Sequence, residues 1–126
     1  MPNIVLEYTS NVTEAIDFAM LFASIHQILH ETGGIKLDNC KSRAIAIEQY
    51  HIGDGHPSNA FVQLSIAFLA GRRNDVKQQL GDACLAQLKR FYAKSRSRLD
   101  LQITVEITDI QREFYFKYPE GTFTEQ

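Results

Sequence analysis

The chain has 126 residues, which is enough for one compact domain and too few for two ordinary ones. Hydrophobic residues make up 44% of the chain and the formal net charge is -2, as in ordinary globular proteins. The 13 lysines and arginines are scattered among 15 acidic residues, so no basic face for nucleic acid is expected. No leader pattern begins the sequence and no apolar stretch approaches membrane-spanning length. We expect a cytoplasmic protein without nucleic-acid or membrane partners.

The first half of the chain predicts the order strand, helix, strand. Residues 3 to 8 have the β-branched and aromatic character of a strand. Asn11 and Glu14 have the spacing of a helix-capping box, which predicts a helix over residues 13–31. A β-rich segment follows over residues 41–52. The inward face of the helix is predicted to carry Ala15, Phe18, Phe22, Ile25 and Leu29.

The second half repeats this order at an offset of about sixty residues. Residues 60–69 predict a strand, and Asn74 or Asp75 is expected to cap the helix that follows. A last strand alternates apolar and polar residues, so one of its faces should be buried. The apolar positions of that strand are Leu101, Ile103, Val105 and Ile107. The two pseudo-repeats span about residues 2–52 and 60–109.

The doubled unit predicts an α/β (α+β) fold in a single domain over residues 1–126. Strand-helix-strand units pair as parallel strands, so we expect a four-stranded sheet with both helices on one face. The other face and the outer strand edges then need cover, which oligomerisation would supply. The tail, residues 110–126, is rich in aromatic residues and is expected to dock on the domain or on a neighbour. Its aromatic residues are Phe114, Tyr115, Phe116, Tyr118 and Phe123.

Pro2 is the first candidate for catalysis. Methionine before a small residue such as proline is normally removed, and removal of Met1 would leave a secondary amine at the chain end. An exposed α-amine titrates at about 7.7 to 8.0, and an apolar pocket lowers that pKa, so the amine can be a neutral base near pH 7. Proline at this position is also common at the start of a strand, so Pro2 alone leaves both interpretations open.

Several short stretches give the chain a family resemblance over nearly its whole length. They are Met1-Pro2, Glu7, Leu21-Phe22-Ala23, Ser42-Arg43, Asp54-Gly55, Ala60-Phe61-Val62, Ala70-Gly71-Arg72 and Gln78-Gln79. The chain resembles the 5-carboxymethyl-2-hydroxymuconate isomerases of the tautomerase superfamily, which includes 4-oxalocrotonate tautomerase. The resemblance implies a homotrimer with a catalytic N-terminal proline, no metal or organic cofactor, and a role in the breakdown of homoprotocatechuate and related aromatic acids.

Three basic residues are candidates for binding a carboxylated substrate. Arg72 follows Gly71 at the start of the second predicted helix, where backbone N–H groups also attract anions. The resemblance implies that Arg72 handles the charge of the substrate. Lys41 and Arg43 share one face of the second predicted strand and are expected to bind substrate. The family usually has arginine where Lys41 stands, which leaves the exact substrate open.

Metal chemistry is not expected from the four histidines. His26 and His30 lie one helical turn apart, but no third ligand is evident near them, so they are interpreted as residues at the edge of the apolar face. Cys40 and Cys84 are expected to be two buried thiols rather than a disulfide.

Two alternatives to the isomerase remain open from the sequence. One is a trimeric binding or structural module that kept the fold without the activity, because Met1, if retained, makes the Pro2 nitrogen a non-basic amide. The other is a different proline-based activity on another acid, such as dehalogenation or hydration.

Overall fold

A computed structural model describes residues 1–119. Its main elements are β1 (Asn3–Thr9), α1 (Phe18–Gly33), β2 (Lys41–Ile47), β3 (Asn59–Leu69), α2 (Asn74–Phe91), α3 (Ala93–Arg98) and β4 (Asp100–Ile110). Single-turn 3₁₀ helices span Leu37–Asn39 and Arg112–Phe114. The predicted order of strand, helix, strand therefore occurs twice. The short helix α3, between α2 and β4, was not predicted.

The four strands form one sheet in the order β2-β1-β3-β4. The strands of each half pair in parallel, as predicted, whereas β1 and β3 pair antiparallel across the middle of the sheet. Asn3 at the start of β1 pairs with Ala67 near the end of β3 and with Lys41 at the start of β2. The starts of β1 and β2 and the ends of β3 and β4 therefore lie at the same end of the sheet. We call this end the proline end.

Both helices cover the same face of the sheet. Alternate residues of the two central strands are fully buried there, including Ile4, Leu6, Val62, Leu64 and Ile66. They pack in one cluster with Leu21, Ile25 and Leu29 of α1 and with Leu80, Cys84 and Leu88 of α2. Each run repeats every four residues, the spacing that keeps side chains on one helical face. Burial of each such leucine or isoleucine contributes roughly 1.5–3 kcal/mol.

Helix α1 begins later than the capping-box spacing predicted. Asp17 is the N-cap residue, and its carboxylate accepts a hydrogen bond from the Met20 amide over 3.1 Å. The predicted start at Thr13 is wrong because Asn11 and Glu14 make tertiary contacts instead.

These two side chains tie the loop after β1 to distant parts of the chain. The Asn11 side-chain amide donates to the Asn59 carbonyl over 2.8 Å. One carboxylate oxygen of Glu14 accepts from the Ser95 amide over 2.9 Å and from the Ser95 hydroxyl over 2.7 Å. Local spacing alone could not distinguish these bonds from a cap, because their partners lie 48 and 81 residues away.

Helix α2 lacks the predicted side-chain cap. Arg73 is its N-cap residue and makes no capping hydrogen bond, so the prediction of Asn74 or Asp75 as cap is wrong. Asp75 instead pairs with Arg73 at the surface, with N–O distances of 2.9 and 3.1 Å.

Strand β2 ends at Ile47 rather than near residue 52. Ile47 pairs with Thr9, the last residue of β1, so the ladder has no partner strand beyond that point. The following segment turns through Gly53 and Gly55, whose φ values of 57° and 81° suit residues without a Cβ.

The tail does not dock on its own domain as a whole. Phe114, Phe116 and Tyr118 are 70%, 85% and 94% exposed, whereas Tyr115 and Lys117 between them are partly buried. Docking of the exposed rings on a neighbour stays a prediction. Phe123 lies outside the described residues.

Two smaller expectations concern the cysteines and the membrane. Both cysteines are free, and Cys84 is buried as expected, whereas Cys40 is only partly buried. Within residues 1–119, none of the helices combines the length and apolar character that crossing a bilayer requires.

Candidate active site

The start of the chain is built into the proline end of the sheet. Met1 and Pro2 are both buried, and the Pro2 carbonyl accepts a hydrogen bond from the Lys41 amide over 3.2 Å. This bond belongs to the Asn3–Lys41 pair of the parallel ladder, in which a residue of one strand bonds to the neighbours of its partner on the other. The two strands therefore hold Pro2 and Lys41 side by side.

The α-amine of Met1 lies in surroundings that disfavour its cation. Its pKa falls from the ordinary 8.0 to about 6, first because the amine is partly buried and then because of the charge and the side-chain hydrogen bond of Lys41. The charge of Lys117 lowers this pKa further. An amine at this end of the sheet is thus neutral, and able to accept a proton, near pH 7.

Lys41 and Arg43 share one face of the sheet, as their spacing predicted, and that face lies away from the helices. Arg43 is exposed, and its Nη1 donates to the Asn3 side-chain oxygen over 3.2 Å. Ser42 points to the helical side, where its hydroxyl oxygen lies 2.6 Å from Nε2 of His26. Arg43 lies two residues along β2 from Lys41, on the same face.

Arg72 lies at the same end of the sheet, just beyond β3, and packs against the core. Its Nε donates to the Gly33 carbonyl at the end of α1 over 2.9 Å, and its guanidinium carbon lies 5.0 Å from the Phe68 ring centroid. Burial lowers the pKa of Arg72, and the charge of Arg112 lowers it further. The guanidinium is held in one orientation, whereas its neighbour Arg73 is 77% exposed.

Two basic residues at this end were not among the predicted site residues. Arg112 donates from Nε to the Ala70 carbonyl over 3.0 Å, and Lys117 is close enough to influence the amine of Met1. Both belong to the tail, which the sequence analysis treated only as a docking segment. In the structure, Tyr115 and Lys117 are partly buried in alternation with exposed aromatic rings, and this alternation of burial is not evident from the sequence.

The histidines do not form a metal site in the part of the chain that the structure describes. No three histidine, cysteine, aspartate or glutamate side chains are grouped there to hold an ion. His26 contacts Ser42, and Nδ1 of His30 lies 2.8 Å from the Ile35 carbonyl.

A family model described as 5-carboxymethyl-2-hydroxymuconate isomerase matches residues 2–120. The chain belongs to the 5-carboxymethyl-2-hydroxymuconate isomerase family. It is 30% identical over 118 residues to the 5-carboxymethyl-2-hydroxymuconate Delta-isomerase of Escherichia coli, with 93% of each chain covered. The family resemblance seen in the sequence is thereby confirmed, and the protein is an isomerase.

Solved structures of this family and of related proteins share the fold. A 5-carboxymethyl-2-hydroxymuconate isomerase from Deinococcus radiodurans R1 superposes with a TM-score of 0.84 at 29% identity, covering 92% of this chain and 87% of the other. A fused 4-OT symmetric trimer superposes with a TM-score of 0.75 at 14% identity, covering 98% of this chain and 97% of the other. These similarities confirm the predicted tautomerase-like α+β architecture.

Proposed function

We propose that the chain is a cofactor-independent tautomerase in which Pro2, freed by removal of Met1, is the catalytic base. The observation that carries this proposal is that Pro2, Lys41 and Arg72 all lie at the proline end of the sheet, as the strand register requires. An α-amine at this end already has a pKa of about 6 in the chain that retains Met1. A proline nitrogen one residue along would lie between the same strands and beside the same lysine.

The proposed reaction moves one proton within the substrate. The neutral proline nitrogen takes a proton from the enol oxygen or from a carbon next to the carbonyl and becomes a secondary ammonium. The electron pair left behind delocalises as a dienolate. The ammonium then returns the proton further along the conjugated system, so neither an oxidant nor a net proton is consumed.

Different basic residues are proposed to bind the substrate and to stabilise the negative charge that develops on it. Arg72 is the group proposed to face the oxygen on which negative charge accumulates, since its bond to Gly33 fixes the orientation of the guanidinium in a partly buried position. Lys41 and Arg43, on the opposite sheet face from the helices, are proposed to bind substrate carboxylates. The substrate proposed is an unsaturated 2-hydroxy di- or tricarboxylic acid, with 5-carboxymethyl-2-hydroxymuconate, from homoprotocatechuate degradation, as the first choice.

The enzyme is proposed to work as a homotrimer in the cytoplasm. The sheet face opposite the helices, the outer edges of β2 and β4 and the exposed tail rings are the surfaces that other subunits would cover. The related fold of a solved symmetric trimer supports this assembly.

The test of the function compares two forms of the same chain. The protein is prepared with and without Met1, each form is verified by intact mass, and both are assayed on 5-carboxymethyl-2-hydroxymuconate and on 2-hydroxymuconate. We expect isomerisation by the trimmed form alone. Equal activity of the two forms would exclude Pro2 as the base. No isomerisation of either acid by the trimmed form would favour a different substrate or a binding module.

A further inference from the structure

Each of the four strands brings one notable residue to the proline end of the sheet. Lys41 begins β2, Pro2 precedes β1, Arg72 follows β3 and Arg112 follows β4. Because the strand order is β2-β1-β3-β4, these positions follow one another across the end of the sheet in that order. At about 4.8 Å between neighbouring strands, the axis of β4 lies roughly 10 Å from that of β1. Arg112 therefore extends the basic residues of the proline end beyond Arg72.

Contacts between the ends of β3 and β4 hold Arg112 beside Arg72. The Ala70 amide donates to the Ile110 carbonyl over 2.9 Å, and the Ala70 carbonyl accepts from Nε of Arg112 over 3.0 Å. A Cβ on Gly71 would lie 3.7 Å from Nη2 of Arg112, so the guanidinium lies directly against the Gly71 backbone. Arg72 is the next residue, and its pKa is lowered by burial and then by the charge of Arg112. The two guanidiniums are therefore close enough to repel each other.

Two like charges held close together favour an anion beside them. The guanidinium of Arg72 is fixed by its bond to the Gly33 carbonyl and by the Phe68 ring, 5.0 Å away, so it does not simply turn away from Arg112. A carboxylate next to both groups lowers their repulsion, because unlike charges attract most strongly at short distance. Guanidinium N–H groups also match the geometry of a carboxylate. The place beside Arg72 therefore suits a carboxylate of the substrate.

The two acids considered as substrates differ in the group that Arg112 would bind. Both have a conjugated chain with two carboxylates, and 5-carboxymethyl-2-hydroxymuconate carries a third carboxylate on its carboxymethyl branch. Lys41 and Arg43, on β2, are proposed to bind carboxylates on one side of Pro2, whereas Arg112 follows β4 on the other side. A dicarboxylic acid bound by that lysine and arginine has no further carboxylate for Arg112.

We propose that Arg112 is a specificity-determining residue, which binds the third carboxylate of a tricarboxylic substrate beside Arg72. This assignment rests on the proposed function in one respect, that the substrate lies at the proline end, and it does not require Pro2 to be the base. If Arg112 only ties the tail to the Ala70 carbonyl, its loss should affect acids with two and three carboxylates equally.

The first experiment measures binding without turnover. The probes are propane-1,2,3-tricarboxylate and glutarate, which share the same chain and its two end carboxylates and differ in the middle carboxylate. Neither contains a double bond, so neither undergoes the proposed reaction. Calorimetry on the full-length chain without Met1 should show the tricarboxylate binding at least about tenfold more tightly. Arg112→Gln should reduce this preference to within about twofold.

A neighbouring arginine supplies the matched control. Arg73→Gln removes the same charge from the residue after Arg72, but Arg73 is exposed and pairs with Asp75 over 2.9 Å. The preference for the tricarboxylate should change less than twofold in this variant.

The second experiment measures selectivity in turnover. The ratio of kcat/KM for 5-carboxymethyl-2-hydroxymuconate to kcat/KM for 2-hydroxymuconate should fall about tenfold in Arg112→Gln and less than twofold in Arg73→Gln. If Arg112 acted only through Arg72, both substrates would lose activity together and the ratio would not change.

Three results would overturn the role of Arg112. They are no preference for the tricarboxylate in the wild type, including no binding of either acid, equal weakening of both acids by Arg112→Gln, and equal effects of Arg112→Gln and Arg73→Gln. The outcome for the proposed function is separate. A preference that depends on Arg112 without isomerisation of either substrate would support this role and refute the tautomerase, whereas isomerisation with an unchanged ratio in Arg112→Gln would refute this role alone.

Discussion

The amide of Lys41 donates to the carbonyl of Pro2 over 3.2 Å, so the first residue of β2 fixes the backbone at the start of the chain. The same lysine acts through its side chain on the α-amine that precedes Pro2. One residue therefore both positions the backbone of Pro2 and influences the protonation of the amine that precedes it. Substitutions at Lys41 keep the backbone bond and change only the side-chain effect, which makes the electrostatic part separately testable.

The first prediction concerns the amine of the chain that retains Met1. Its pKa of about 6 should rise toward 8.0 in Lys41→Met, because a neighbouring positive charge and a hydrogen bond are lost. Arg43→Met removes a positive charge of the same strand that is not among the causes of this shift, and it is the matched control. NMR titration of the labelled α-amine measures both. An equal rise in the two variants would contradict the assignment to Lys41.

The second prediction applies the same shift to pH dependence. A depressed amine pKa means that the unfolded chain binds more protons than the folded chain between about pH 6 and 8, so the contribution of this group to stability rises with pH across that window. For the trimmed enzyme, the neutral amine is the form proposed to be active. We expect kcat/KM to fall on acidification and the acidic limb to move to higher pH in Lys41→Met. If the acidic limb of the kcat/KM profile lies at the same pH in Lys41→Met as in the wild type, the result would argue against a base beside Lys41.

The third prediction separates the roles of the arginines. Arg72→Ala should lower kcat by about tenfold to a hundredfold with a smaller effect on KM, because the interaction strengthens as charge develops on the substrate oxygen. Arg43→Ala should act mainly on KM. Arg73→Ala is the control for charge near Arg72, since Arg73 is exposed and pairs with Asp75. Similar losses of kcat in Arg72→Ala and Arg73→Ala would indicate that both arginines act only through a general effect of positive charge.

The fourth prediction asks whether Lys41 tunes the choice of substrate. Lys41→Arg restores the planar fork that binds a carboxylate in one orientation. It should lower KM for 5-carboxymethyl-2-hydroxymuconate if that acid is the substrate. Steady-state assays on this compound and on 2-hydroxymuconate provide the comparison. A higher KM for the first acid would indicate a pocket adapted to another one.

The fifth prediction concerns assembly. Phe114→Ser with Phe116→Ser should shift the protein from three chains toward one in light scattering, because the exposed rings are proposed to contact a neighbour. Met20→Ser is the control, since Met20 is an exposed apolar residue of α1, 62% accessible, and does not belong to the tail. A trimer that survives the double change would remove the tail from the interface, and a wild-type monomer at micromolar concentration would refute the trimer.

Local pattern alone determined the repeated order of strands and helices. The alternation of apolar and polar residues in β4 places the apolar side chains on one face only if the segment is a strand. The four-residue spacing of Leu80, Cys84 and Leu88 places them on one face only if the segment is a helix. The N-cap of α1 shows where local pattern fails. Asn11 and Glu14 have capping spacing, but partners 48 and 81 residues away compete for the same polar atoms.

The sequence by itself determined the family, the doubled unit and the candidates Pro2, Lys41, Arg43 and Arg72. It could not determine that β1 and β3 run antiparallel, and this pairing brings the start of the chain to the residues that follow β3. Only the tertiary structure decided that Arg72 is oriented by the Gly33 carbonyl and that Lys117 lies near the amine. The physical reason is that hydrogen bonds and Coulomb interactions depend on distances of a few ångströms, which pairing between distant strands sets and local sequence does not.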